Sequence, residues 1–138
     1  MTYTQISSLH DYQVDQLVSL YQNEFWCATR TRPDVEKMLQ HTSVIISFED
    51  DSKNLIAFCR LLTDFVYKAT LYDVIVHPDY RNQQLGKLLM DAVFQHPQLK
   101  DVEHFDLNCL PQMFGFYQRW GFTNELGELS HMRRYNIK

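Results

Sequence analysis

The sequence is poor in the residues that build fibres, linkers and disulfide scaffolds. Its 138 residues include only four glycines, four prolines and three cysteines, too few glycines and prolines for a collagen-like or low-complexity chain. No apolar run approaches the roughly 18 residues that a membrane helix needs. The opening MTYTQISSLHDY has neither the basic nor the apolar region of a secretory signal. We therefore expect a chain with its own packed core, located in the cytoplasm and without a membrane partner.

A surplus of positive charge is also missing. Lysine and arginine total 13 against 17 aspartates and glutamates, which gives a formal net charge of −4. Proteins that bind the phosphate backbone of nucleic acid usually carry a basic surplus, so no nucleic-acid partner is expected. Cys27, Cys59 and Cys109 are widely spaced, and the six histidines show no HxxxH or HExxH spacing. This pattern predicts free, mostly buried thiols and no metal site.

The hydrophobic pattern predicts one domain, residues 1–138, with alternating element types. The hydrophobic fraction of 45% and the length suit a single core. Spaced apolar residues predict a helix from Val14 to Phe25, and Thr31 followed by Pro33 predicts the start of a second. Further strands are predicted at 44–48, 56–62, 70–76, 105–110 and 131–137, and further helices from 84 and from 111. The order βααβββαβαβ indicates an α/β (α+β) fold: a mixed, mostly antiparallel sheet with one parallel pair and helices on both faces.

The segment from Asp73 to Lys87 has the most chemical information. Here a strand ends, a loop turns and a helix begins. The first N–H groups of a helix lack intrahelical partners and lie at the positive end of its dipole, so such a loop suits a phosphate or pyrophosphate. Arg81 and Lys87 would add positive charge. From these residues alone, a solvent-exposed Arg81 with no ligand is the more frequent case.

Two motifs resemble the GNAT superfamily of N-acetyltransferases. HPDYRNQQLGKLLM resembles the acyl-CoA loop Q/R-x-x-G-x-G/A, with Arg81 at the first position, Gly86 at the last and Gln84 where the middle glycine usually stands. FYQRWGF, residues 116–122, resembles the motif F-Y-x-x-x-G-F near the C-terminus of the family. The element order from residue 3 to 137 is similar too. The segments EFWCATRT, LLTDFVYKATLYDVIVHPDYR and LPQMFGFYQRWGF resemble a bacterial branch that acetylates small amines.

This resemblance implies acetyl-CoA as co-substrate, no metal, and direct transfer of acetyl to a primary amine of a small molecule in a ternary complex. It implies a splayed parallel strand pair, and a homodimer is compatible with it. The coenzyme would contact two sets of residues: Val74, Ile75 and Val76 along the pantetheine arm, and Arg81, Asn82, Gln83, Gln84, Leu85, Gly86 and Lys87 at the pyrophosphate. A free amide at Val74 or Ile75 would face the thioester oxygen. Because glutamine favours helices, Gln84 is expected to begin the helix early and point outward.

The resemblance also implies two catalytic side chains, each with a structural alternative. Tyr117 matches the tyrosine that protonates the departing thiolate, but it shares a helix face with Phe116 and Trp120 and could be core. Asp73 is unusual in a strand, and an unpaired buried carboxylate is costly. It either accepts the amine proton, directly or through water, or pairs with a cationic substrate, or it hydrogen-bonds a loop.

The acceptor pocket would be built mainly by the first two helices and the segment 25–30 between them. In this segment Trp26 could stack on the acceptor or pack at the helix junction, and Tyr67 is a second candidate from the hairpin loop. Two other functions remain open from the sequence: acetylation of a peptide or protein N-terminus, and a non-catalytic CoA-binding module of the same fold.

Overall fold

The computed structural model describes residues 2–136, which divide into two compact units, residues 2–108 and residues 109–136. The strands are β1 (Thr4–Ile6), β2 (Val44–Glu49), β3 (Leu55–Thr63), β4 (Lys68–Val76) and β5 (His104–Asp106). The helices are α1 (Asp11–Gln22), α2 (Arg32–Gln40), α3 (Leu85–Gln95) and α4 (Phe114–Gln118). Two short 3-10 turns, Pro78–Tyr80 and Pro111–Met113, precede α3 and α4.

The five strands form one sheet in the order β1-β2-β3-β4-β5. The first three pairings are antiparallel, and β4 and β5 pair in parallel. Within the described residues this parallel pairing covers only Lys68 to Thr70 of β4 and His104 to Asp106 of β5. The rest of β4 therefore has no strand on its outer edge, as in a splayed pair. The predicted mixed sheet with a parallel pair is confirmed.

Strand β3 is buried along most of its length because both faces of the sheet are covered. On one face Phe58 and Ile75 join the core that α1 supplies, with Ile45 packed beside them. Neighbouring residues of a strand point to opposite faces, so Ala57 and Ile46 face the other side. Helix α3, which contacts β2, β3 and β4, covers that side.

Helix α1 ends earlier than its apolar spacing predicts. Val14 and Tyr21 are buried as expected, but the helix stops at Gln22 and Phe25 is exposed. Beyond Asn23 the chain makes successive short-range turns instead of helical bonds. The apolar spacing of Phe25 was therefore coincidental. Helix α2, by contrast, starts where Thr31 and Pro33 predict.

The C-terminal elements are shorter than predicted. Strand β5 ends at Asp106 rather than at residue 110, since no neighbouring strand pairs with the chain beyond it. The predicted strand at 131–137 is wrong for residues 131–136, which form neither strand nor helix, and residue 137 lies outside the described residues. Side chains there are exposed, so no burial supports an extended pairing. Gly121 has the left-handed conformation that glycine adopts without strain, with φ 86°.

Candidate active site

The loop between β4 and α3 turns through two left-handed residues. Asn82 has φ 66° and Gln84 has φ 63°, and α3 begins only at Leu85. The prediction that Gln84 starts the helix early is wrong. Gln84 instead occupies the conformation that glycine adopts without strain, at a cost of about 1 kcal/mol for a residue with a Cβ. Position 84 thus keeps a backbone conformation typical of glycine but carries the larger side chain of glutamine.

The backbone amides of residues 82–87 cover the end of the loop and the first turn of α3. The first helical bond of α3 runs from the N–H of Leu88 to the carbonyl of Gln84, at 3.1 Å. Among residues 2–136, no oxygen or nitrogen accepts a hydrogen bond from the amides of residues 82 to 87. Three of these amides form the first turn of α3, where the helix dipole adds positive potential. The arrangement is suited to an anion with several oxygens, such as a pyrophosphate.

The cationic side chains of the loop are already paired. Arg81 donates from Nη2 to Glu24 Oε1 at 3.0 Å and from Nε to the carbonyl of Val76 at 3.2 Å. Lys87 Nζ lies 2.8 Å from Asp91 Oδ2, one turn along α3. An anion held here is therefore bound chiefly by main-chain amides. Glu24 connects the loop to the segment between α1 and α2.

The start of the loop is fixed by side-chain hydrogen bonds. Tyr80 donates its hydroxyl to Asp50 Oδ2 at 2.9 Å, in the turn between β2 and β3. The amide of Asp79 donates to Nδ1 of His77 at 3.1 Å. Tyr3 also bonds the side chain of Gln83. These contacts hold the loop in place before α3 begins.

Strand β4 carries a bulge opposite β3. The register between the two strands slips between Phe58 and Arg60, so two residues of β4, Asp73 and Val74, face one residue of β3. Asp73 has φ 57°, which is the left-handed conformation. A bulge leaves one residue outside the ladder and bends the strand. The main-chain groups of residues 73–74 lie at the bulge and have no pairing with β5, whereas Ala69 and Thr70 pair with strands on both sides.

Val74, Ile75 and Val76 offer a ligand only main-chain polar groups. Ile75 is buried in the core, and Val74 and Val76 are half-buried. Their side chains are apolar and carry no acid or base. Only their main-chain groups can take part in binding or chemistry.

Asp73 is the centre of a hydrogen-bonded charge cluster. Its Oδ2 accepts from the Tyr21 hydroxyl at 2.8 Å, from Arg30 Nη1 at 2.8 Å and from Arg60 Nε at 2.7 Å. The Asp73 side chain is only 4% exposed. Burial opposes its ionisation, but the hydrogen bonds and charges of Arg30 and Arg60 outweigh burial and hold its pKa below the usual value. At neutral pH Asp73 is an ionised anchor and a weak base, which favours the structural alternative.

Arg30 also belongs to this cluster, although nothing in the sequence indicates it as a site residue. Its guanidinium carbon lies 4.5 Å from the ring centroid of Tyr21 and 5.7 Å from that of Trp26. Trp26 is 45% exposed and Phe25 is 80% exposed. The segment between α1 and α2 therefore presents an aromatic surface beside a fixed cation. An isolated arginine in a loop gives no sequence signal for this, because its partners come from α1 and β4.

Tyr67 lies at the opposite end of β4. It is exposed in the loop between β3 and β4, where Asp64 Oδ1 accepts hydrogen bonds from the amides of Val66, Tyr67 and Lys68. Six residues of extended strand separate it from Asp73, a distance of about 20 Å. Among the residues that the structure describes, no hydrogen bond, ion pair or ring contact joins Tyr67 to the cluster or to Trp26.

Tyr117 lies in the C-terminal unit, on α4. It is buried, and its ring packs edge-on against Phe116 at 4.9 Å and Phe122 at 6.1 Å between centroids. It shares this aromatic group with Trp120, whose ring lies 5.0 Å from that of Phe116. The motif residues 116–122 thus form a locally packed aromatic unit around the tyrosine.

The cysteines are free, as predicted. Cys27 and Cys59 are buried and Cys109 is half-buried. Burial raises the pKa of Cys27 to about 11 and raises that of Cys59 further, so neither thiol is a nucleophile at neutral pH. Within residues 2–136, no group of three or more histidine, cysteine, aspartate or glutamate side chains is arranged to hold a metal ion. No helix in the described part of the chain is long and apolar enough to cross a bilayer.

Residues 41–124 match the family model described as an acetyltransferase (GNAT) domain. This range includes β2 to β5, the loop with the unpartnered amides, the bulge and the aromatic motif of the C-terminal unit.

Curated relatives are similar over most of the chain. It is 32% identical over 126 residues to the uncharacterized N-acetyltransferase ycf52-like protein of Prochlorococcus marinus, covering 89% of this chain and 68% of that protein. It is 30% identical to ycf52 of Porphyra purpurea over 78% of this chain and 67% of that protein. With GCN5-related N-acetyltransferase 1, chloroplastic, of Arabidopsis thaliana it shares 31% identity, over 70% of this chain and 49% of that protein. The chain thus spans about half to two thirds of the length of these relatives.

Solved structures share the fold. A crystal structure from Xanthomonas campestris assigned to the GNAT family has a TM-score of 0.81 and 31% identity, covering 96% of this chain and 94% of that one. A GNAT family protein from Streptococcus pneumoniae has a TM-score of 0.79 at 23% identity, covering 99% and 100%. The second likeness concerns the fold alone.

Proposed function

Because the chain belongs to the GNAT family of acetyltransferases, we propose that this acyltransferase moves an acetyl group from acetyl-CoA to a primary amine of a small molecule. Residues 1–138 together form one acyl-CoA N-acyltransferase domain in this proposal. The observation that carries it is the run of six amides at residues 82–87 that have no acceptor in the described chain. These amides fit a pyrophosphate, which is the charged group of the coenzyme.

The coenzyme is held by main chain along two segments. The amides of residues 82–87 bind its diphosphate, and the edge of β4 at Val74, Ile75 and Val76, left open by β5, receives its arm as an added strand would. Bound acetyl-CoA supplies an activated acetyl thioester. The bulge at 73–74 supports a role for a main-chain amide there, at Val74 or Ile75, as the donor to the thioester oxygen.

Two side chains support the proton transfers. Tyr117 donates a proton to the departing thiolate; a phenol, with a reference pKa of about 10, still carries its proton at neutral pH. This role rests on its match to the family motif. Asp73 holds the amine side of the site in place through Arg30, Arg60 and Tyr21, and the amine proton leaves through water. A direct transfer to Asp73 would require a pKa nearer to neutral than its two arginines permit.

The acceptor lies against the segment between α1 and α2. The exposed ring of Trp26 and the cation of Arg30 next to it support this placement. Tyr67 is a peripheral contact at most, since its backbone lies about 20 Å along β4 from the bulge. A cytoplasmic location, the absence of nucleic-acid and membrane partners and a homodimer stay predictions, and the name of the Arabidopsis relative places that protein in the chloroplast.

Calorimetry with acetyl-CoA tests the coenzyme site. Gly86→Pro removes one amide at the second residue of α3, a position where α2 already carries Pro33, so the helix start tolerates it. We expect acetyl-CoA binding to weaken about tenfold or more, because a hydrogen bond to a charged group is lost. Gly86→Ala keeps the amide and is the matched control. Equal weakening by both variants would assign the effect to crowding, and no binding to the wild type at millimolar ligand would end the enzyme proposal.

Release of free thiol from acetyl-CoA over a panel of acceptors separates the alternatives. Turnover with small amines supports the proposal. Turnover only with peptides that carry a free N-terminus would favour N-terminal acetylation, and binding without any turnover would favour a non-catalytic module.

A further inference from the structure

Arg30 is held beside the bulge by contacts that use only some of its N–H donors. Its Nη1 donates to Asp73 Oδ2 at 2.8 Å, and the face of its guanidinium lies over the ring of Tyr21. Among the described residues, neither Nε nor Nη2 of Arg30 has a hydrogen-bond acceptor. The side chain is 32% exposed. A preorganised guanidinium therefore offers free N–H groups to solvent.

The charge of the cluster is not balanced. One carboxylate, Asp73, faces two cations, Arg30 and Arg60. Burial and the neighbouring Asp73 raise the pKa of Tyr21 well above its ordinary value, so the phenol stays neutral. The nearest other carboxylate on this segment, Glu24, is paired with Arg81. The cluster thus carries a net charge of about +1 at neutral pH.

The two arginines differ in what they can reach. Arg60 is 11% exposed and lies over the ring of Tyr72, inside the sheet face. Arg30 is three times as exposed and lies beside Trp26 on the segment that we assign to the acceptor. The planar fork of a guanidinium matches the two oxygens of a carboxylate or phosphate. Arg30 is therefore the cation that a ligand can reach, whereas Arg60 is largely covered by the sheet face.

From this geometry we infer that Arg30 binds an anionic group of the acceptor, so that the preferred substrate is a primary amine bearing a carboxylate or phosphate a few bonds from its nitrogen. The inference rests on the proposed acetyltransferase function. Since Arg30 Nη1 bonds the side chain of Asp73, the guanidinium lies one side chain away from the bulge. An acceptor nitrogen directed at the bulge places its neighbouring groups beside Arg30, and its apolar body beside Trp26.

Matched acceptor pairs test this inference. The pairs are L-phenylalanine with phenethylamine, and O-phosphoethanolamine with ethanolamine, each differing by the anionic group. At saturating acetyl-CoA, we expect kcat/KM of the wild type to favour the member that carries the carboxylate or phosphate in at least one pair, about tenfold or more. Arg30→Gln should remove that preference by lowering the ratio of kcat/KM between the two members of the pair about 10- to 100-fold.

The control is Arg32→Gln, two residues along the chain, where the arginine is paired with Asp15 and Glu36 away from the cluster. It should leave both members of each pair unchanged. The inference is overturned if the wild type does not favour the members that carry the carboxylate or phosphate, or if Arg30→Gln lowers kcat/KM of both members equally, as a merely structural role would. Arg30→Lys, which keeps the charge but not the fork, should retain part of the preference.

Failure of the proposed function gives a different result. In that case acetyl-CoA does not bind, or no amine of any kind is turned over by the wild type. Direct calorimetric titration of L-phenylalanine and O-phosphoethanolamine then decides the role of Arg30 without turnover. Binding to the wild type that Arg30→Gln abolishes supports the anion site, and binding that is absent or equal in both proteins overturns it.

Discussion

Replacing Asp73 by asparagine removes the negative charge that lies between Arg30 and Arg60. Asparagine keeps the shape of the side chain and one acceptor oxygen, but it no longer neutralises Arg30 and Arg60, which then repel each other. The Asp73 side chain is only 4% exposed, so solvent screens this repulsion poorly. Breaking a buried ion pair from one side costs about 3–5 kcal/mol. Because Arg30 is partly exposed and its charge is screened by solvent, we expect the lower end, about 3 kcal/mol.

Denaturant unfolding at pH 7 measures this loss of free energy of unfolding directly. For a domain of this size, about 3 kcal/mol corresponds to a fall in Tm of roughly 10 °C. Asp106→Asn is the control, since the ion pair of Asp106 with Lys68 is long, at 4.0 Å, and exposed on both sides; it should cost about 0–1 kcal/mol. In an Arg30→Met background the cost of Asp73→Asn should shrink, because one of the two cations is gone.

The dependence on pH follows from the lowered pKa of Asp73. A carboxyl whose pKa is depressed by folding contributes stability above its unfolded value of about 3.9, and this contribution is lost as the pH falls through the folded value. The difference in stability between wild type and Asp73→Asn should therefore be constant from pH 8 to about pH 5 and decrease below about pH 4. A cost below about 1 kcal/mol that does not change with pH would refute the assignment of Asp73 as a charged anchor.

Three further outcomes are expected. Gln84→Gly should raise the free energy of unfolding by up to about 1 kcal/mol, because it relieves a left-handed φ, whereas Gln83→Gly, at a position without a positive φ, should lower it. If denaturant unfolding shows that both variants change the free energy of unfolding in the same direction, the left-handed conformation of Gln84 is not a source of strain. Ser47→Ala should be neutral or stabilise by about 1 kcal/mol, since the Ser47 hydroxyl is buried and has no partner in the described structure, and a loss above about 1 kcal/mol in thermal unfolding would indicate a hidden partner. Tyr117→Phe should lower kcat for thiol release by about 10²-fold or more while leaving acetyl-CoA affinity in calorimetry unchanged; unchanged turnover would remove Tyr117 from the mechanism.

The architecture up to β5 could be predicted because its signals are local. Apolar spacing and the helix start at Thr31 and Pro33 each act within a few residues. The element ends that were missed depend on distant neighbours. Phe25 has helical spacing but lies beyond the end of α1, and residues 107–110 and 131–136 lack a strand to pair with.

The site was predictable in its backbone and less so in its side chains. The loop before α3 was located from the motif that ends at Gly86, but the left-handed Gln84 contradicts the helix propensity of glutamine, because the turn imposes its conformation. The oddity of Asp73 in a strand was visible in the sequence. Its partners Tyr21, Arg30 and Arg60 were not, since they come from three separate elements and no spacing relates them.

The bulge at Asp73 has a consequence for how the gene can change in length. Because side chains alternate along a strand, the extra residue in β4 resets the alternation, and both Tyr72 and Ile75, three positions apart, pair with residues on one face of β3. Deleting a single codon at the bulge would leave a regular strand in which Ile75 still lies opposite Phe58 and stays in the core. Deleting one codon in the regular part of the strand, between Lys68 and Tyr72, would instead turn the side chains on one side of the deletion to the other face. Natural length variation is therefore expected at the bulge and in the exposed hairpin at 64–67, and not between them.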